Sequence, residues 1–211
     1  MRSLVFLCCL PAFVFAESNE ATQLAGRVEK YYAGIQDLHA KFEQLVDSGT
    51  GGHKRASGQL WLKRPGRMRW DYVKPEKKLM VTDGKLLWIY EPEDQQAFRQ
   101  ELNAATLPSS VSVLLGQGKL GDEFTVTTDA VPGLGTAGDA VLKLVPKKPT
   151  AQYRYLHFVV DRKTAQVKET LVYETQGGIN HLTFRETTTN RGVPDGKFSF
   201  TPPPGTKILR P

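Results

Sequence analysis

Cysteine is almost missing from this sequence. Its two cysteines, Cys8 and Cys9, lie within the first ten residues. Everything after them lacks a disulfide, a thiolate nucleophile and a thiolate metal ligand. Histidine is sparse as well. His39, His53, His157 and His181 include no pair at the spacing of a helical metal site, so no metal is assigned. A G-x-S-x-G elbow is missing. Ser109 and Ser110 read as helix caps rather than nucleophiles. Asp71, Asp83, Glu91 and Glu93 fall at strand ends and turns, where solvated carboxylates far outnumber the paired acids of glycoside chemistry. No catalytic residue and no cofactor is assigned, and an enzyme is not expected.

One motif is present in its letters only. Gly133-Leu134-Gly135-Thr136-Ala137-Gly138 spells G-x-G-x-x-G. A dinucleotide site needs a strand before it and a helix after it. Here Pro132 precedes it and Val141 to Val145 follows as a strand, so the segment reads as a loop between strands. Long hydrophobic runs are missing too. The longest, Leu4 to Phe15, is interrupted by Pro11 and is too short to span a bilayer.

That run has the form of a secretory signal. Arg2 supplies the positive end, and Val14 and Ala16 occupy the minus-three and minus-one positions of a cleavage site after residue 16. Both cysteines fall inside it. Neither suits a lipid anchor, because Leu7 rather than a small residue precedes Cys8 and the apolar run continues past Cys9. Residues 17–211 are then expected to form one exported domain with a sizeable core. The 28 Lys and Arg outnumber the 22 Asp and Glu, for a formal charge of +6. These basic residues are scattered. They fit a solvated surface first, and attraction to anionic head groups or an acidic docking face second. No nucleic-acid motif is present.

What the chain does have is alternation. From Leu60 to Pro92 apolar and polar residues take turns, which is the period of half-buried antiparallel strands. Leu60 and Leu62 share one face and Trp61 and Lys63 the other. Met68, Trp70 and Tyr72 alternate with Arg67, Arg69 and Asp71. Pro65-Gly66 and Asp83-Gly84 are turn pairs. Alternation leaves open which face turns inward, and whether that face is a packed core or a cavity. Leu60, Leu62, Met68, Trp70 (or Trp61), Leu87 and Ile89 are the large, weakly directional side chains suited to lipid tails.

Around this segment, Thr22 to Ile35 carries Leu24, Val28, Tyr31, Tyr32 and Ile35 at helical spacing, which predicts a helix packed on a sheet. Leu38 to Val46 reads as a strand and Asp47 to Arg55 as a Gly-rich turn. Ala97 to Leu102 is a further strand. Val111, Leu114 and Leu115 sit at helical spacing behind Ser109 and Ser110, with Gly116 and Gly118 ending the run. A short apolar helix there is a core plug or a movable lid. Strands are then expected at Phe124 to Thr127, Ala140 to Val145, Tyr153 to Asp161, Gln166 to Glu174, Asn180 to Thr187 and Lys197 to Thr201. One helix and a long run of strands make an α+β, mainly β, chain.

Four segments resemble the outer-membrane lipoprotein carrier (LolA) family. They are Phe42-x-Gln44; Leu60-Trp61-Leu62-Lys63-Arg64-Pro65 with Arg69-Trp70-Asp71-Tyr72 and Pro75; Val81 to Pro92; and Lys197-Phe198-Ser199-Phe200-Thr201-Pro202-Pro203-Pro204-Gly205. They occur in order, at the expected spacing, over essentially all of residues 17–211. The resemblance implies an unclosed antiparallel β-barrel, a strongly curved sheet, covered by a helical lid. It implies a monomeric periplasmic chaperone that takes acylated lipoproteins from an inner-membrane ATP-driven exporter to an outer-membrane receptor. It makes Leu60, Leu62, Met68, Trp70, Leu87 and Ile89 cavity-lining. It makes Val111, Leu114 and Leu115 a lid and Arg64 the latch that hydrogen-bonds to it. Met68 departs from the pattern, being often aromatic in the family. The alternative is a periplasmic carrier or sensor of another lipid, such as a glycolipid, on the same fold.

The exported protein is expected to begin at Glu17 and to carry no lipid. Intact mass of the periplasmic protein checks this, and an N-terminal cysteine bearing a diacylglyceryl group would contradict it.

Overall fold

The computed structural model describes residues 13–102 and 119–210, the backbone alone for 13–19. The expected lid residues Val111, Leu114 and Leu115 lie outside the described residues. Helix α1 spans Phe13–Ala33. Six strands follow: β1 (Asp37–Asp47), β2 (His53–Lys63), β3 (Arg67–Lys74), β4 (Lys78–Thr82), β5 (Leu86–Glu91) and β6 (Gln96–Glu101). After a single helical turn, α2 (Leu120–Glu123), come β7 (Phe124–Asp129), β8 (Asp139–Pro146), β9 (Tyr153–Asp161), β10 (Val167–Glu174) and β11 (Ile179–Thr189). A 3₁₀ turn (Asp195–Phe198) and β12 (Lys207–Leu209) end the described chain.

All twelve strands belong to one sheet, in the order β12-β6-β5-β4-β3-β2-β1-β11-β10-β9-β8-β7. Every pairing is antiparallel except β12 with β6. The chain thus winds outward in both directions from the β1 centre. Since β12 and β7 are both edges, the curved sheet is unclosed, as expected for this class.

Register lines up the apolar residues into rows. One row runs Ala40, Leu60, Trp70, Met80, Ile89 across β1 to β5. The next runs Leu38, Leu62, Met68, Thr82, Leu87. Because successive side chains point to opposite faces, both rows share one face with Leu142, Leu156, Phe158 and Leu182 of the other half. Helix α1 covers this inner face with Ala21, Leu24, Ala25, Val28 and Tyr32, all at 4% exposure or less. The amphipathic stripe read from the sequence is therefore the stripe that packs. Gly58 is forced by a close approach. A Cβ there would run into the Asp71 backbone carbonyl of β3 and would also lie 2.9 Å from Phe42 Cε1, so only glycine lets β2 and β3 approach here.

The outer face of β2–β6 is covered by the C-terminal segment. Phe198 is 2% exposed, and the Phe200 ring lies 5.7 Å from Trp88 and 5.2 Å from Tyr90. Asp195 pairs with Lys63 and Arg67, both at 2.6 Å, and Lys197 stands 3.7 Å over Trp61. Lys197 to Thr201 is not the expected strand. Its alternation of Phe198 and Phe200 comes from crossing the sheet's outer face, with the last strand formed further on by Lys207–Leu209. The G-x-G-x-x-G segment is a loop between β7 and β8, with Gly133 and Gly135 at positive φ.

Candidate functional site

The inner face is assembled by β2 to β5, and the hairpin turns set its register. At the β4–β5 turn, Asp83 Oδ1 accepts from the Lys85 and Leu86 amides at 2.8 and 2.9 Å. Those bonds, the Leu86 amide first, hold the Asp83 carboxyl below its ordinary pKa. Leu60, Leu62, Met68, Trp70 and Leu87 come together here, each 3% exposed or less, with Ile89 half-buried beside them. Trp61, the other candidate tryptophan, points outward and stacks on His39 at 4.9 Å. The two faces left open by alternation are thereby assigned.

An aromatic cluster extends this surface. Phe42 meets Trp70 and Tyr72 edge to face, with centroids 4.6 and 4.9 Å apart, and Trp70 stacks on Tyr72 at 6.2 Å. Phe42 and Tyr72 are lining residues that the sequence reading misses, although their parity with Ala40 and Trp70 carries the signal. Burial drives the Tyr72 phenol up to about 12. Beyond Tyr72 lies a cleft of about 900 Å³, at the end of β2 that starts with His53. Gln44, Val46, Ala56 and Tyr72 form its wall, and its rim mixes Lys74, Lys77 and Lys78 with Glu91, Glu93 and Asp94. Three buried side-chain atoms of the described residues have no hydrogen-bond partner: Trp70 Nε1, Thr170 Oγ1 and Thr187 Oγ1.

Arg64 lies at the opposite end of β2. Its Nη2 donates to the Tyr32 carbonyl at 2.9 Å, and its backbone amide donates to the Gln36 carbonyl at 2.9 Å. The side chain thus grips the last turn of α1, where exposed carbonyls and the helix dipole favour a cation. Its partner is α1, and the segment around Val111 lies outside the described residues. Asn190 adds to the same corner, with Nδ2 on the Gly34 carbonyl at 3.3 Å and Oδ1 accepting from the Gln36 amide at 2.7 Å.

The family described as outer membrane lipoprotein carrier protein LolA matches residues 33–201. This chain belongs to that family. An outer-membrane lipoprotein carrier protein of Chromobacterium violaceum is 29% identical over 92% of this chain and 89% of its own length. One of Methylococcus capsulatus is 25% identical over 99% of both chains. Among solved structures, an uncharacterized conserved protein from Thermus thermophilus superposes with a TM-score of 0.57 at 12% identity, covering 90% of this chain and 99% of that one. That last likeness is one of fold.

The polar groups of this LolA-family chain lie mostly on the outer face and are occupied. His157 Nε2 sits 2.9 Å from Asp129 Oδ2, and its Nδ1 sits 3.2 Å from the Tyr173 hydroxyl. Burial pushes this imidazole below its ordinary pKa against the pull of Asp129. His181 pairs with Glu169 at 2.6 Å. Among the described residues no group of three metal-ligating side chains occurs, and no helix is long and apolar enough to cross a membrane.

Arg64→Leu should lower stability by about 1 kcal/mol, the worth of one hydrogen bond. It should also speed hydrogen exchange at the Gly34 and Ile35 amides while leaving the β8–β9 amides unchanged. Unaltered exchange at those two amides would show that Arg64 does not hold the helix.

Proposed function

We propose that this protein carries acylated lipoproteins through the periplasm, from an ATP-driven exporter in the inner membrane to a receptor on the outer membrane. It acts by binding and release and performs no chemistry on its cargo. The observation that carries this reading is the LolA-family match over residues 33–201, joined to an inner face on β2–β5 that is apolar apart from Thr82. The expected secretory signal at residues 1–16 supports the periplasmic location.

The physical need is plain. Exposing an acyl chain to water costs about 0.8 kcal/mol per methylene, so a lipoprotein with three chains faces several tens of kcal/mol on that scale. A carrier must therefore offer an apolar surface that is itself covered when empty. Leu60, Leu62, Met68, Trp70, Leu87 and Ile89 supply that surface. Helix α1 covers it in the closed form, and Val111, Leu114 and Leu115 complete the cover. Chains enter by the cleft beside Tyr72 and displace these contacts.

Arg64 is the latch of the closed form. Its bond to Tyr32 exists only while α1 lies on the sheet, so it favours closure and the expulsion of cargo. Arg64→Leu therefore accepts cargo but hands it on slowly.

A fluorescent diacylated lipopeptide offered in mixed vesicles tests the function. Wild-type protein should extract it. Ile89→Glu should fold and bind it about tenfold more weakly or worse, having lost one aliphatic side chain of apolar contact. Extraction unaffected by Ile89→Glu in a folded protein would contradict the proposed surface.

A further inference from the structure

Trp70 Nε1 is a buried donor without a partner. The side chain is 3% exposed, and among the described residues nothing accepts from its N–H. Buried polar groups are nearly always satisfied, because an unmade bond leaves the full desolvation cost in place. Its surroundings cannot help: Phe42, Leu60 and Met80 flank it on neighbouring strands. A phenylalanine would fill the same apolar site with no such cost. A tryptophan there makes sense when a second molecule brings the acceptor.

Depth along β3 says which acceptor. Tyr72 lines the cleft, Trp70 comes next on the same face, and Met68 lies deeper at 0% exposure. Two strand residues advance about 7 Å, so the indole N–H sits one such step below the cleft floor. A lipid chain seated there keeps its polar head towards the cleft and buries its methylenes beyond it. The group reaching Trp70 is the carbonyl at the head of the chain, while the hydrocarbon continues towards Met68, Leu62 and Leu87. We infer that Trp70 Nε1 donates a hydrogen bond to the carbonyl oxygen of an acyl linkage and so makes this site selective for acyl over alkyl chains. The inference rests on the carrier reading and deepens it: apolar contact holds any greasy chain, and the indole N–H recognises that the chain is an acyl group.

Two matched lipopeptides test it, one with ester-linked diacylglycerol and one with the ether-linked dialkyl analogue, which lacks both carbonyls. A third, ether-linked but N-acylated, separates an ester source of the carbonyl from an amide source. Wild-type protein should bind the ester probe about fivefold more tightly than the ether probe, the effect of one neutral hydrogen bond. Replacing Trp70 by benzothienylalanine keeps the bicyclic ring and removes the N–H. That variant should bind the ether probe as wild type does and lose the preference, and Trp70→Phe should lose it as well. The thermal midpoint of the benzothienylalanine variant without cargo should stay the same or rise, because the ring volume is kept and no internal bond is removed. A clear fall in that midpoint would reveal an internal partner and overturn the inference. Equal affinity of wild type for all three probes, or a preference that survives loss of the N–H, would overturn the hydrogen bond alone. A wild-type preference for the N-acylated over the plain ether probe would support it through the amide carbonyl. Failure to bind any of the three would overturn the carrier reading and this inference together.

Discussion

An apolar sheet face must be covered, and among the described residues the one helix of more than a single turn that packs on it is α1. Twelve strands in one sheet place every second side chain on the inner face. Ala40, Leu60, Trp70, Met80 and Ile89 form one continuous row on it. The sheet is curved and unclosed, and among the described residues no second sheet buries that row. Ala21, Leu24, Ala25, Val28 and Tyr32 of α1 belong to the same buried cluster, with the helix lying nearest β7 and the β9–β10 side. Whatever else occupies the face must compete with them.

The fastening of that helix suits exchange. Beyond apolar contact it is held by a few polar ties at its margins. They include Arg64 on the Tyr32 carbonyl, Arg27 on the Lys163 carbonyl at 2.9 Å, Glu29 on the Gly121 amide at 3.1 Å and the exposed Arg162–Glu20 pair, and a buried bond adds to them, the Val167 amide donating to the Tyr32 hydroxyl at 3.1 Å. Exposed ion pairs contribute at most about 1 kcal/mol, and neutral hydrogen bonds about the same. The outer face is fastened differently. Its C-terminal cover carries buried Phe198, the Asp195 pairs with Lys63 and Arg67, and a final strand added to β6. One face is covered by a paired strand and buried aromatics, while the helix on the other is held by apolar contact, hydrogen bonds and an exposed ion pair.

Much of this was legible from alternation. Leu60 with Leu62, and Met68 with Trp70, announce a strand face whatever lies behind it. Alternation could not say that Trp70 turns in and Trp61 out, because both strands carry tryptophan on a half-buried face. It misled at Lys197 to Thr201, where Phe198 and Phe200 alternate without pairing into the sheet. The short strand Lys207–Leu209 leaves almost no periodic signal after three prolines. The partner of Arg64 was not legible either. Its bond to Tyr32 joins residues distant in sequence through the packing of α1, and only the fold brings them to 2.9 Å. The missing partner of Trp70 Nε1 is likewise a property of packing, since an indole in a strand usually finds one.

The proposal at the centre of this account is that acyl chains lie on the inner face of β2–β5. Photo-crosslinking from a lipopeptide with a diazirine near the end of its acyl chain, followed by peptide mapping, tests it most directly. The account predicts adducts at Leu62, Met68 and Leu87. Adducts confined to outer-face residues such as Trp61, Val73 or Trp88 would contradict it.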